Sequence, residues 1–168
     1  SSDCRQVDFE GMTACFGVAG PVQHGRSKLT NLLWVVDSQS LERELGFHRA
    51  VVVNDIEATG WAVPSLEASS LQPIKGGTAD PDGTMVVIAP GTGLGQAGML
   101  RSGDGFVVCS GEGGHVDFAP RGPVEIELRQ FLADRYGHVS WERVLSGPGL
   151  IDLADFFFTL SGDSFSEW

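Results

Sequence analysis

The pattern of apolar and polar positions divides the first third of the chain into strands and one helix. Residues 12–18, "MTACFGV", predict a strand, and "RSKLTN" predicts a short second one. In "DSQSLERELG", two leucines lie four residues apart on one helical face, Asp37 or Ser38 can cap the helix, and Gly46 can end it. Strand, helix and a further strand in this order favour an α/β unit.

That further strand covers Ala50–Val53, and two polar residues, Asn54 and Asp55, follow it directly. A run of β-branched residues predicts a strand buried on both faces. Ligands of open α/β sheets bind at the carboxyl ends of the strands, so Asn54 and Asp55 are candidate site residues. An aspartate in this position is more often a helix cap than a general base, and spacing leaves both roles open for Asp55. The next stretch, "IEATGWAVP", predicts a short helix that ends at Pro64.

A stretch rich in serine, glycine, proline and aspartate, residues 65–83, predicts the boundary between two lobes. We therefore expect a partial small α/β lobe over residues 1–65 and a partial large α/β lobe over residues 66–168. In the second lobe, "TMVVIAP" predicts another buried strand, and "QAGMLRSGDGFVVCS" predicts two strands joined by a glycine-containing loop around residues 102–105.

The last third of the chain predicts helices. Pro123 is placed as the first residue of a helix that Gly137 ends, and the apolar residues between them follow a helical period. Ser140 can cap a second, short helix, and a third, apolar helix is predicted to begin near Leu150. The fold class predicted from this order of elements is α/β.

Composition narrows the class of protein. Of 168 residues, 42% are hydrophobic and 20% charged, which excludes a disordered tail and a membrane protein. The chain has 11 basic and 22 acidic residues, a net charge of -11, so we expect no nucleic-acid partner. No apolar run approaches ~18 residues, so we expect no membrane partner either. Its cysteines, Cys4, Cys15 and Cys109, are odd in number and widely spaced, which favours free thiols in a reducing cytoplasm.

A glycine-rich stretch, "APGTGLG", places Gly91, Thr92 and Gly93 directly after a predicted strand. Such a backbone can turn sharply and direct several N–H groups at one phosphate, and the Thr92 hydroxyl can reach a phosphate oxygen or the water of a bound metal. The GxGxG spacing excludes a dinucleotide fingerprint, and the absence of GK[ST] excludes a Walker A loop. A plain hairpin turn explains the same residues equally well, and spacing leaves the two alternatives open.

The stretch "SGEGGHVDFAP" surrounds Glu112 and His115 with glycines, so that little side-chain bulk hinders the approach of a ligand. An acceptor and an imidazole at this spacing suit hydrogen bonding to a polyhydroxylated molecule, or metal ligation. No other histidine stands at ligand spacing, so no metal site is predicted. Asp117 can orient His115 or cap a turn. Taken alone, Glu142 of "SWER" is expected to be a solvated helix residue paired with an arginine.

Together and in this order, "FGVAGPV", "LTNLLW", "VVVNDIEATGWAVP", "APGTGLG", "SGEGGHVDFAP" and "GHVSWERVLSGPG" resemble the bacterial glucokinases, of the hexokinase and actin-like ATPase superfamily. The resemblance runs from about Phe16 to Leu153. It implies a ribonuclease H-like, two-lobed sugar kinase that phosphorylates glucose on its 6-hydroxyl with ATP.

Matching motif to motif, the resemblance also implies roles for single residues. Asp55 would be the catalytic base that accepts the hydroxyl proton, and Asn54 beside it would bind the sugar. Glu112, His115 and Glu142 would hold other glucose hydroxyls.

For the nucleotide, the resemblance implies that Gly91, Thr92 and Gly93 contact the ATP phosphates and that Mg²⁺ comes bound with ATP. The expected partners are therefore glucose and ATP, and a homodimer is left open. The family's first phosphate loop, of the "DxGGTN" type, has no counterpart before Cys15, and its adenosine-binding segment has none after "SGPG". We therefore expect an internal fragment with little or no kinase activity alone. The alternatives are another hexose kinase on the same scaffold, and a noncatalytic sugar-binding relative.

Overall fold

The computed structural model describes residues 8–29, 32–78 and 80–162, which form two compact units, the first ending at Thr78. The assignment of residues 1–65 and 66–168 to a small and a large lobe stays a prediction. Within the described ranges, no helix is both long enough and apolar enough to cross a membrane.

The described residues of the first unit form two small sheets and two α-helices. Its elements in chain order are β1 (Thr13–Val18), β2 (Arg26–Lys28), β3 (Val35–Asp37), α1 (Ser38–Leu45), β4 (Arg49–Asn54) and α2 (Asp55–Ala62). Strands β1 and β4 pair in parallel, and β2 pairs antiparallel with β3. The predicted strand–helix–strand unit is thus confirmed, with α1 as the connection between parallel strands. Thr30 and Asn31 of "RSKLTN" lie outside the described residues, as does Cys4.

Helix α1 has the ends that the sequence predicts. Of the two candidate caps, Asp37 is used, and its side chain accepts a hydrogen bond from the Ser40 N–H at 2.9 Å. This bond holds the pKa of the Asp37 carboxyl below its ordinary value. At the other end, Gly46 takes the left-handed conformation (φ 76°), which a residue without Cβ adopts at little cost.

The prediction that β4 is buried on both faces is wrong. Ala50 and Val52 are buried, whereas Val51 and Val53 on the opposite face are only half-buried. Among the described residues β4 pairs with β1 in a two-stranded sheet, and no element fully covers the face that carries Val51 and Val53. A valine run indicates burial on two faces only where other elements cover both of them.

The second unit contains one antiparallel sheet followed by helices and short turns. Its elements are β5 (Met85–Pro90), β6 (Leu94–Ser102), β7 (Gly105–Gly111), α3 (Pro123–Tyr136) and α4 (Gly147–Ser161), with 3₁₀ turns at Gly113–His115 and Trp141–Arg143. The predicted hairpin is confirmed, because β6 and β7 pair up to Ser102 and Gly105. Strand β5 differs from the prediction, since Val86 and Ile88 on one face are 64% and 59% exposed.

The helices form the main hydrophobic core of this unit around Leu132, which is fully buried. Helix α3 begins at Pro123 and is capped by Gly137, as predicted. Arg135 donates to Asp152 and to Asp155, both at 2.6 Å, and so joins α3 to α4.

The remaining helix predictions were only partly correct. Ser140 precedes a 3₁₀ turn rather than a helix, and its side chain makes no capping bond. Helix α4 begins at Gly147, three residues before Leu150, because the Ser146 hydroxyl accepts a hydrogen bond from the Gly149 N–H at 3.1 Å. "SGPG" therefore starts the helix, with proline in the first turn where its missing N–H is tolerated.

Candidate functional site

Glu142 lies in the 3₁₀ turn before α4 and points at the start of β6. Its Oε2 accepts a hydrogen bond from the backbone N–H of Leu94 at 3.0 Å, and its side chain is 29% exposed. The expectation of a solvated glutamate paired with an arginine is wrong, since the neighbouring Arg143 stacks on the Tyr136 ring instead, 4.1 Å from its centre. Glu142 is a partly buried acceptor tied to a strand 48 residues earlier in the chain.

His115 lies between two carboxylates of the same unit. Its Nδ1 is 3.9 Å from Glu142 Oε1, and its Nε2 is 3.6 Å from Glu112 Oε2. Both separations exceed a hydrogen bond, so these polar atoms remain available to a ligand. The side chains of His115 and Glu112 are 61% and 70% exposed, so both are open to solvent. Glu112, His115 and Glu142 are called the carboxylate–histidine cluster below.

The glycine turn, residues 91–93, joins β5 to β6 beside this cluster. Gly91 donates its N–H to the Gly93 carbonyl at 2.8 Å, and its own carbonyl accepts the N–H of Gly147 at 2.7 Å. Thr92 is exposed, and its hydroxyl has no partner among the residues that the structure describes. The turn is thus a tight hairpin, which is the structural alternative that the sequence left open. Its bond to Gly147 holds it beside residues 142–147, the segment that contains Glu142.

Three residues of this site were missed from the sequence: Leu94, Gly114 and Gly147. Gly114 is buried against the Leu94 carbonyl so closely that any Cβ would overlap it. A Cβ on Gly147 would come within 3.3 Å of the Gly91 carbonyl. The glycines of "EGGH" therefore serve close packing on β6, in addition to leaving the cluster accessible. Two adjacent glycines beside a polar pair were the only available signal.

Asn54 and Asp55 lie in the first unit, at the junction of β4 and α2. Asn54 caps α2, because its Oδ1 accepts from the N–H groups of Ile56 and Glu57 at 3.0 and 3.3 Å. Its Nδ2 donates to the Gly20 carbonyl at 3.0 Å. Asp55 is the first residue of the helix, so the alternative that makes it the cap is wrong. Asp55 is exposed at the carboxyl end of a strand, where spacing predicted a site residue.

Asp117 has neither of the two roles considered for it. Its Oδ1 lies 2.5 Å from Nε2 of His138, and both side chains are largely exposed. The Asp117 side chain therefore does not orient His115, which lies in the 3₁₀ turn Gly113–His115. Across the described ranges, no group of three or more His, Cys, Asp or Glu is placed to hold a metal ion, and Cys15 and Cys109 are free thiols.

Comparison with known proteins places these motifs in one family. The Glucokinase family model matches residues 3–166. A glucokinase of Aromatoleum aromaticum is 45% identical over 149 residues, which are 89% of this chain and 45% of that protein. A glucokinase of Nostoc punctiforme is 39% identical over 145 residues, 85% of this chain and 42% of that protein. The chain spans somewhat less than half the length of these relatives.

Solved structures agree with the sequence comparison. The glucokinase of an Antarctic psychrotroph matches with a TM-score of 0.77 and 35% identity, over 89% of this chain and 47% of that structure. The glucokinase of Balamuthia mandrillaris, solved in complex with glucose, matches with a TM-score of 0.74 and 26% identity, over 95% of this chain and 50% of that structure. These matches confirm the fold expected from the motifs, a mixed α/β sugar kinase represented in part. The chain belongs to the glucokinase family.

Proposed function

We propose that this chain is part of an enzyme that transfers a phosphoryl group from ATP to the 6-hydroxyl of glucose. The observation that carries the proposal is the carboxylate–histidine cluster beside the glycine turn, in a chain of the glucokinase family. The cluster offers hydroxyl-binding groups, and the turn offers phosphate-binding groups. A family member solved with glucose supports glucose as the sugar.

The cluster suits a neutral sugar. Glu112 and Glu142 can each accept hydrogen bonds from hydroxyl groups, and a bond to a charged acceptor is stronger than one between neutral groups. His115 lies between them and can donate or accept according to its tautomer. A sugar lacking one of these hydroxyls would leave a partly buried carboxylate such as Glu142 unpaired, so the site should reject it.

Asp55 is proposed as the base for the 6-hydroxyl. Its Oδ1 accepts the N–H of Ile56 at 2.9 Å, while Oδ2 has no hydrogen-bond partner among the described residues. Phosphoryl transfer passes through a loose transition state, so the carboxylate orients the hydroxyl as much as it deprotonates it. A base of this kind contributes roughly 10² to 10⁴ in rate. Asn54 retains one amide hydrogen beyond its bond to Gly20, and that hydrogen can donate to a sugar oxygen.

The glycine turn is proposed to contact the ATP phosphates. The N–H groups of Thr92 and Gly93 donate to no atom of the described residues, and Thr92 is exposed whereas Gly93 is partly buried. These two N–H groups and the Thr92 hydroxyl can donate hydrogen bonds to phosphate oxygens. Magnesium, which accompanies ATP, would neutralise charge that develops on the phosphates. A cytoplasmic location is proposed as well, because the proposed reaction consumes ATP.

The test is ADP formation by the complete gene product, measured in a coupled assay with ATP and a panel of hexoses. We expect ATP-dependent phosphorylation with glucose preferred over mannose and N-acetylglucosamine. A clear preference for another hexose would contradict the proposed substrate. Glucose binding without phosphorylation of any hexose would instead favour a noncatalytic sugar-binding protein.

A further inference from the structure

The glycine turn is fixed at both ends by one short segment of the chain. At one end, the Gly91 carbonyl accepts the N–H of Gly147 at 2.7 Å. At the other end, the Leu94 N–H donates to Glu142 Oε2 at 3.0 Å. The anchoring groups come from residues 142–147, which contain a member of the carboxylate–histidine cluster. A change in the position of Glu142 must therefore also move or loosen the turn.

The two oxygens of Glu142 face different groups. Oε2 is held by Leu94, and it lies so near the turn that a Cβ on Gly93 would come within 2.6 Å of it. Oε1 faces His115 Nδ1 at 3.9 Å, beyond hydrogen-bond range and open to a ligand hydroxyl. Because a carboxylate is planar and rigid, the bond to Leu94 also sets the direction in which Oε1 points.

From this geometry we infer that Glu142 is a positioning residue for the phosphate-binding turn in addition to a sugar ligand. Oε2 orders the turn, Oε1 accepts a sugar hydroxyl, and the shared carboxylate couples the two sites. A hydroxyl bound to Oε1 restrains the side chain and thereby orders Thr92 and Gly93 for the phosphates. Coupling of this kind is reciprocal, so an ordered turn also favours the sugar. The inference rests on the proposed function for its ligands, whereas the anchoring of the turn stands without it.

Three variants of the whole chain separate the two oxygens. Glu142→Ala removes both. Glu142→Gln keeps one carbonyl oxygen, which can accept from Leu94, and replaces the other with an NH₂ group that cannot accept a hydroxyl proton. Glu112→Gln is the matched control, since Glu112 faces His115 and its side chain bonds to no backbone group of the described residues.

Backbone amide hydrogen exchange, measured by NMR, reports the anchoring without any ligand. Loss of a bond to a charged acceptor predicts that Glu142→Ala speeds exchange of the Leu94 amide by roughly tenfold to a hundredfold. Glu142→Gln should rescue most of this protection, and Glu112→Gln should leave it unchanged. Circular dichroism verifies that each variant is folded. Unchanged Leu94 exchange in a folded Glu142→Ala would overturn the inference.

Added glucose reports the coupling. We expect glucose to slow exchange at Thr92 and Gly93 in the unaltered chain, and to lose this effect in Glu142→Gln even at glucose concentrations that saturate that variant. Glucose binding that leaves the turn amides unchanged in the unaltered chain would overturn the coupling. If glucose does not bind to this chain, the coupling is overturned, whereas phosphorylation of glucose by the complete gene product still decides the proposed function and the ligand-free exchange of Leu94 still decides the anchoring.

Discussion

Replacing Gly93 with alanine should break the contact between the glycine turn and Glu142. A Cβ at residue 93 would come within 2.6 Å of Glu142 Oε2, whereas a Cβ at residue 91 of the same turn would meet nothing within 4 Å. Neither glycine has a positive φ, so alanine is not strained at either position. Gly91→Ala is therefore a matched control for Gly93→Ala.

The size of the effect follows from what must move. Glu142 Oε2 is the end of a flexible side chain, so the overlap is relieved by rotating the carboxylate away from Leu94. The cost is then the loss of the hydrogen bond from Leu94, about 1.5–3 kcal/mol for a charged acceptor. Water replaces part of this bond, because the Glu142 side chain is 29% exposed. Both variants gain the same chain-entropy stabilisation, about 0.4–1 kcal/mol, which cancels between them. We expect Gly93→Ala to be less stable than Gly91→Ala by about 1–2 kcal/mol.

Urea denaturation followed by far-UV circular dichroism measures this difference on the ligand-free chain. Exchange of the Leu94 amide should increase in Gly93→Ala alone, which locates the effect at the turn. Equal free energies of unfolding for the two variants, or a more stable Gly93→Ala, would refute the reasoning.

Three further predictions concern the helices and the proposed base. Asp152→Ala should lower the free energy of unfolding by about 2–4 kcal/mol, because the buried Asp152 carboxylate accepts hydrogen bonds from Arg135 and Tyr136. Asp155→Ala should lower it by less than about 1 kcal/mol, because the Arg135–Asp155 pair is more exposed. Equal losses of unfolding free energy for the two variants, measured by urea denaturation, would contradict this. The hydrogen bond to Asp152 raises the pKa of Tyr136 in the folded state. The contribution of this bond to folding stability is therefore fully present below about pH 10, the pKa of an unfolded tyrosine, and is lost as the pH rises through the raised pKa of the folded state. The stability difference between the unaltered chain and Tyr136→Phe should therefore narrow at alkaline pH, and a constant difference would show that ionisation is not involved. In the complete gene product, Asp55→Ala should abolish turnover while changing glucose binding far less, and near-normal turnover would exclude Asp55 as the base.

The parts of the fold that the sequence predicted are those with local causes. Asp37 and Gly46 at the ends of α1, and Pro123 and Gly137 at the ends of α3, act within one helical turn of the residues they cap. The half-buried face of β4 and the exposed face of β5 were not predictable in this way, because burial of a strand's second face depends on which elements cover it. The start of α4 was predicted near Leu150 and lies at Gly147, because the proline at position 148 is tolerated in a first turn.

The candidate site shows the same division. Glycines around Glu112 and His115 indicated an accessible pair, and the structure places His115 between Glu112 and Glu142. The hydrogen bond from Leu94 to Glu142 joins residues that are 48 positions apart, and no local sequence pattern predicts it. Asn54 was singled out by its position at a strand end, but its capping of α2 emerges only from the backbone around it.

The most direct test of the account is an NMR titration of this chain with glucose that follows the imidazole signals of His115 and His138. His115 lies between two candidate sugar-binding glutamates, whereas His138 pairs with Asp117 outside the cluster and serves as an internal reference. We predict a saturable shift at His115 with glucose, no comparable shift at His138, and a weaker response to mannose. Absence of a saturable shift at His115, or an equal shift at both histidines, would contradict a glucose site at the carboxylate–histidine cluster.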